Sequence, residues 1–160
     1  MQAKQPRSGQ EKKSEKKSTP TGDFVEKLFK SSDPEEFIQD HAWEMDPPPF
    51  HIYISNICAT RGQVPEQVIK RSGIERTYGH QLFNGTRNPS REKAIQLAFG
   101  LELDVEETQR LLLIAQASAL YPKLRRDAAI LYCLEHKKNI LELQSMLQSL
   151  GLTLLGSREK

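Results

Sequence analysis

The sequence predicts an all-α fold: a helical bundle organised on a helix-turn-helix, with extra helices before and after it. Three observations carry this. From Phe50 onward apolar residues recur at spacings of three and four, the period of a helix buried on one side. Helix starts and stops punctuate the same stretch, with Pro65, Asp104 and Asn139 as starts and Gly73, Gly85 and Gly151 as stops. No segment alternates convincingly as a strand does, Thr153-Leu154-Leu155 being a weak candidate only.

The centre of the pattern is the run from Gln63 to Asn88. Its first helix is expected over Val64–Ser72, with Pro65 near the first helical position, where a missing N–H costs little. Gly73 supplies the turn, because the residue past a helix end often needs positive φ. The second helix is expected over Ile74–Asn84 and stops at Gly85. Val68, Ile74 and Leu82 would face inward, leaving Glu75, Arg76, Thr77, His80 and Gln81 on the outer face. Two helices arranged this way place the second in the major groove of DNA. Arg and Gln suit bidentate contacts with guanine and adenine, and Thr can touch a thymine methyl.

The same residues resemble the helix-turn-helix of the phage-repressor-like family, the lambda-repressor-like, Cro or XRE type. Gly73-Ile74 falls on that family's Gly-Val turn, and Leu82 on its second-helix core position. Asn84-Gly85-Thr86-Arg87-Asn88-Pro89-Ser90 falls on its closing Asn-Gly-x-x-x-Pro-Ser loop. Ala94, Leu97, Ala98, Leu101 and Val105 follow the apolar rhythm of its next helices. The likeness covers about 50–117 and departs at Ile69, Gly79 and Phe83, where the family has Ala, an aliphatic residue and often Glu. Large-for-small at Ile69 and small-for-large at Gly79 read as one volume-conserving exchange, so Ile69 should lie over Gly79. The resemblance implies sequence-specific binding of double-stranded DNA by a transcriptional regulator, often as a homodimer on paired half-sites. It puts Arg76, Thr77 and Gln81 on base-reading positions, with His80 on the same face. Gln63, Val64, Asn84, Gly85, Thr86 and Arg87 fall where the family grips phosphate. A helix-turn-helix can also serve as a protein-interaction module or adaptor, since fold alone does not fix function.

Net charge is only +2, but it is unevenly distributed. Residues 1–22 carry +4, 23–60 carry −6, 61–93 carry +4, and 94–160 are balanced. The second basic block coincides with the helix-turn-helix, which is the footprint phosphate binding needs. The acidic region 23–60 could dock a basic protein partner, or cover the basic motif of its own chain.

Four segments follow. Residues 1–22 lack aromatic and branched aliphatic residues and are expected to form a disordered basic tail. Residues 23–49 are an acidic helical extension with a Pro-rich connector. Asp33-Pro34-Glu35-Glu36 is a helix start there, and Phe37, Ile38, His41 and Trp43 are its candidate inner face. Residues 50–118 are the DNA-binding domain. Its first helix shows Phe50, Tyr53, Ile54 and Ile57 on one stripe, and its last, opened by Asp104-x-x-Glu107, is apolar from Leu111 to Ile114 on too many sides to stand alone. Residues 119–160 are a helical pair, about Leu124–His136 and then Ile140 to Leu150, packing on the domain or dimerising. No internal repeat is evident in this reading.

Hydrophobic residues make up 37% of the chain and no apolar run approaches ~18 residues, so no membrane span is expected. The lysine-rich start lacks the apolar segment of a secretory signal. Cys58 and Cys133 lie far apart in apolar runs and read as buried free thiols of a cytoplasmic protein. There is no phosphate loop, metal motif or nucleophile elbow. No enzyme activity, metal or cofactor is expected.

Overall fold

A computed structural model describes residues 20–157. Among these residues there are ten helices and no strand, so the chain is all-α as expected. Up to Thr19, the expected basic tail lies outside the described residues; Pro20–Gly22 open the first helix. The chain divides into two compact units, one ending at Asp46 and one beginning at Pro47.

The described part of the first unit holds α1 (Pro20–Lys30), α2 (Pro34–Asp40) and α3 (Ala42–Met45). Asp33 caps α2 as its sequence demands, accepting the N–H groups of Glu35 and Glu36 at 3.1 Å each. Phe24, Phe37 and His41 bring their rings together, with the Phe37 and His41 centroids 4.1 Å apart. Nothing in α2 is buried, and Ile38, expected on its inner face, is exposed. A segment this short has too little apolar surface to close a core. The Trp43 side chain, placed on the same face by the sequence, lies outside the described structure.

The second unit runs through α4 (Phe50–Arg61), α5 (Pro65–Ser72), α6 (Arg76–Asn84), α7 (Arg91–Gly100), α8 (Val105–Ile114), α9 (Arg125–Glu135) and α10 (Ile140–Ser149). Helix α7 is its centre, packed against α5, α8 and α10. Every residue from Ala94 to Leu101 is buried. The expectation that all of Leu111–Ile114 needs cover is corrected: Leu111 and Leu112 are fully buried, whereas Leu113 is 72% exposed. The cover comes from Ile130, Cys133, Leu143 and Leu147 of α9 and α10, all fully buried. Leu150, expected in the core, is exposed past the end of α10.

The absence of a repeat is also corrected. The α7–α8 hairpin recurs 35 residues later as α9–α10, with 91 matching 126, 104 matching 139 and 120 matching 155. Asp104 and Glu107 form a capping box on α8, as Asn139 and Glu142 do on α10. Positive φ occurs at Glu102 and Lys137, and again at Gln116 and Gly151. Gln109 clamps the backbone of Leu120 through two hydrogen bonds of 2.8 and 2.9 Å, and Gln144 clamps Leu155 at 2.7 and 2.9 Å. Arg91 donates to the carbonyls of Ser118 and Ala119, and Arg126 to those of Thr153 and Leu154. The segment 153–155, a weak strand candidate, is instead this tied-down loop.

The two arginines also cross over. Arg91 pairs with Asp127 of the second hairpin at 2.9 Å, and Arg126 with Glu92 of the first at 2.6 Å. Such reciprocity is the mark of a two-fold interface, here formed inside one chain.

Candidate nucleic-acid interface

The α5–α6 pair is built locally by its turn residues. Gly73 has φ 72°, and its N–H reaches the Lys70 carbonyl. Ser72, buried at the end of α5, donates its hydroxyl to the Ile69 carbonyl at 2.6 Å and accepts the Ile74 N–H at 3.2 Å. The expected start of the second helix at Ile74 moves to Arg76, because the Glu75 carboxylate caps it. Glu75 accepts from Thr77 and Tyr78 N–H at 3.0 and 2.8 Å, and these bonds hold its carboxyl below the usual carboxylate range. Leu82 is fully buried, and Gly79 faces Ile69: a Cβ at Gly79 would stand 2.5 Å from Ile69 Cγ2. The volume exchange inferred from sequence has the contact it requires.

The outward residues are less independent than their spacing suggests. Arg76, 76% exposed, donates Nε–H to Glu66 Oε1 at 2.7 Å. His80, one turn on, meets Glu66 Oε2 at 2.5 Å. The His80 hydrogen bond, followed by that from Arg76, lowers the Glu66 carboxyl below its ordinary value. Thr77 is exposed. Gln81 accepts Arg87 Nε–H at 2.9 Å, and the Arg87 guanidinium lies 4.4 Å over the Tyr78 ring, with Lys93 at 5.2 Å. Cations so placed on an aromatic face are attracted by its quadrupole.

Among the residues expected to grip phosphate, Asn84 folds its Oδ1 onto Thr86, accepting from the backbone N–H at 3.0 Å and the hydroxyl at 2.5 Å. Gly85 closes α6 with φ 83°. Val64 is exposed at the N-cap of α5 and makes no side-chain cap. Gln63 differs from expectation. Its amide donates to the Leu101 carbonyl at 3.1 Å, and its backbone N–H is taken by the Cys58 carbonyl at 2.8 Å. Its Oε1 is buried without a partner. The side chain is committed to the interior, where it ties α5 to the end of α7.

Sequence reasoning missed Glu66 and the Tyr78 cation platform. Both needed contacts across the turn or the loop after α6; the only sequence hint for the first was Arg76 and His80 four apart, on one side of a helix. A separate cleft of about 1360 Å³ opens among Lys70, Gly73, Phe99, Lys138 and Leu141; no α6 residue lines it. Among the described residues no group of three or more His, Cys, Asp or Glu could hold a metal ion, and no helix is long and apolar enough to cross a membrane. Cys58 and Cys133 are free and buried, and burial pushes both thiols above their ordinary pKa.

Comparison with protein-family models, curated proteins and solved structures gives no match.

Proposed function

We propose that this chain binds double-stranded DNA sequence-specifically through α6 in the major groove, as a lambda-repressor-like helix-turn-helix regulator does. One observation carries the reading. Arg76, Thr77, His80 and Gln81 line the face of α6 opposite buried Gly79 and Leu82, beside Arg87 of the following loop. Arg76 and Gln81 then read base edges, with Thr77 and His80 beside them. The Arg87 cation and the Asn84-Gly85-Thr86 turn sit beside phosphate, as does the exposed start of α5 at Val64. Gln63 acts indirectly, by fixing that start against α7. A homodimer on paired half-sites, a basic protein partner for region 23–60 and a cytoplasmic location belong to the same proposal.

A second reading is favoured by the two carboxylates, Glu66 and Glu75, that share this surface. They suit a module that docks a protein carrying both charge signs. Selection of bound fragments from genomic DNA at near-physiological salt separates the two. The DNA reading expects one enriched site. On it Arg76→Ala and Gln81→Ala each cost about 1–3 kcal/mol, in a manner that depends on the base mutated. Arg87→Ala weakens all sequences alike and lowers the salt slope by about one. No enriched site, or uniform losses from Arg76→Ala and Gln81→Ala, would sink the base-reading assignment.

A further inference from the structure

A surface built only to attract DNA has no use for a carboxylate set between the outward Arg76 and His80 side chains. Glu66 holds that position. It comes from α5, accepts Arg76 Nε–H with one oxygen at 2.7 Å and meets His80 Nε2 with the other at 2.5 Å. All three side chains are 44–76% exposed, so nothing about folding requires them to meet.

We infer that Glu66 is an internal counter-ion that sets the sequence selectivity of α6. The inference rests on the DNA-binding reading above. Arginine has five N–H donors, and the pair with Glu66 uses the one on Nε. The terminal nitrogens remain for the O6 and N7 acceptors of a guanine. Glu66 therefore orients the guanidinium while cancelling much of its charge toward passing phosphate. Non-specific binding depends on that charge, whereas base reading depends on donor geometry. A carboxylate at this position weakens the first more than the second, and a protein gains discrimination by rejecting wrong partners as well as by holding right ones.

The test compares the full chain with its Glu66→Gln variant, which keeps the shape and removes the charge. Binding is measured to the selected duplex and to a random-sequence duplex across a salt series. Affinity for the random duplex should rise on the order of tenfold, with a salt slope steeper by about one, since one more cation meets phosphate. Affinity for the selected duplex should change by less than about threefold, because Arg76 keeps its base contact. A selected site bound with an unchanged ratio overturns the inference alone. An equal loss on both duplexes overturns it too, and makes Glu66 only a positioning residue. Failure of the unmodified protein to select any site overturns the DNA reading itself. One measurement needs no DNA: the Arg76 Nε–H resonance of the free protein should move in Glu66→Gln, and an unmoved resonance removes the contact on which the inference stands.

Discussion

The α7–α8 and α9–α10 hairpins share one set of ties yet differ in burial. Both have an arginine on their own closing loop, a glutamine clamp and a capping box. In the first hairpin, α7 is enclosed from Ala94 to Gly100. In the second, α9 leaves Tyr132 and Glu135 outside. The cause is a neighbour: α5 packs on α7, whereas among the described residues α9 packs chiefly on α10 and, less closely, on α8. Gly100 marks the difference most sharply. A Cβ there would strike the Val68 carbonyl oxygen and stand 2.9 Å from Ser72 Cβ, whereas its counterpart Glu135 is exposed. The repeated polar ties fix the hairpin, and the surroundings decide which faces must be apolar or small.

The crossed ion pairs should break the equivalence most strongly. Arg126 and Glu92 are 14% and 13% exposed, and Arg91 and Asp127 are 27% and 5%. Removing one partner of a buried pair leaves the other charge uncompensated, so Arg126→Ala should cost about 3–5 kcal/mol. Asp127 keeps the Tyr121 N–H at 2.9 Å after Arg91 is lost, so Arg91→Ala should cost less, about 1.5–3 kcal/mol. Urea unfolding of both variants measures the gap, and equal losses would remove the asymmetry.

Packing supplies the next contrast. Gly100→Ala should destabilise by about 1–3 kcal/mol through overpacking against α5. Glu135→Ala, at the matching position, should stay within about 0.5 kcal/mol of the unmodified protein. A mild Gly100→Ala would show that α5 yields easily and that its close approach matters little.

The smallest contrast should lie in the glutamine clamps, which are alike in both hairpins. Gln109→Ala and Gln144→Ala each remove two hydrogen bonds to part-buried backbone, at a cost of about 1–2 kcal/mol. Thermal unfolding should place the two variants close together. A loss at only one would mean that the shared geometry hides unequal roles.

Much of the helix pattern was legible because its signals are local. Asp33, Asp104 and Asn139 cap the helices their sequences mark, and α4 runs over the stretch its apolar stripe outlines. Ile69 against Gly79 was legible too, as a large residue and a small one placed to face each other across the turn. The repeat escaped notice because only Arg91, Ala94, Ile95, Glu107, Gln109, Leu112 and Leu120 recur as identical residues 35 positions on. Most of its apolar positions change identity while keeping their place.

Although it missed the start of α1 at Pro20, the sequence by itself determined the all-α class, the bounds of α5 and α6 to within two residues, and the outward set on α6. These follow from caps, turn residues and periodicity within a few neighbours. Only the tertiary structure decided that Gln63 turns inward, that Leu113 stays outside while Leu112 is buried, that Glu66 takes both Arg76 and His80, and that the two hairpins exchange arginines. Each depends on which distant element comes to lie alongside, and a one-dimensional pattern holds no distance between segments that meet only after the chain has packed.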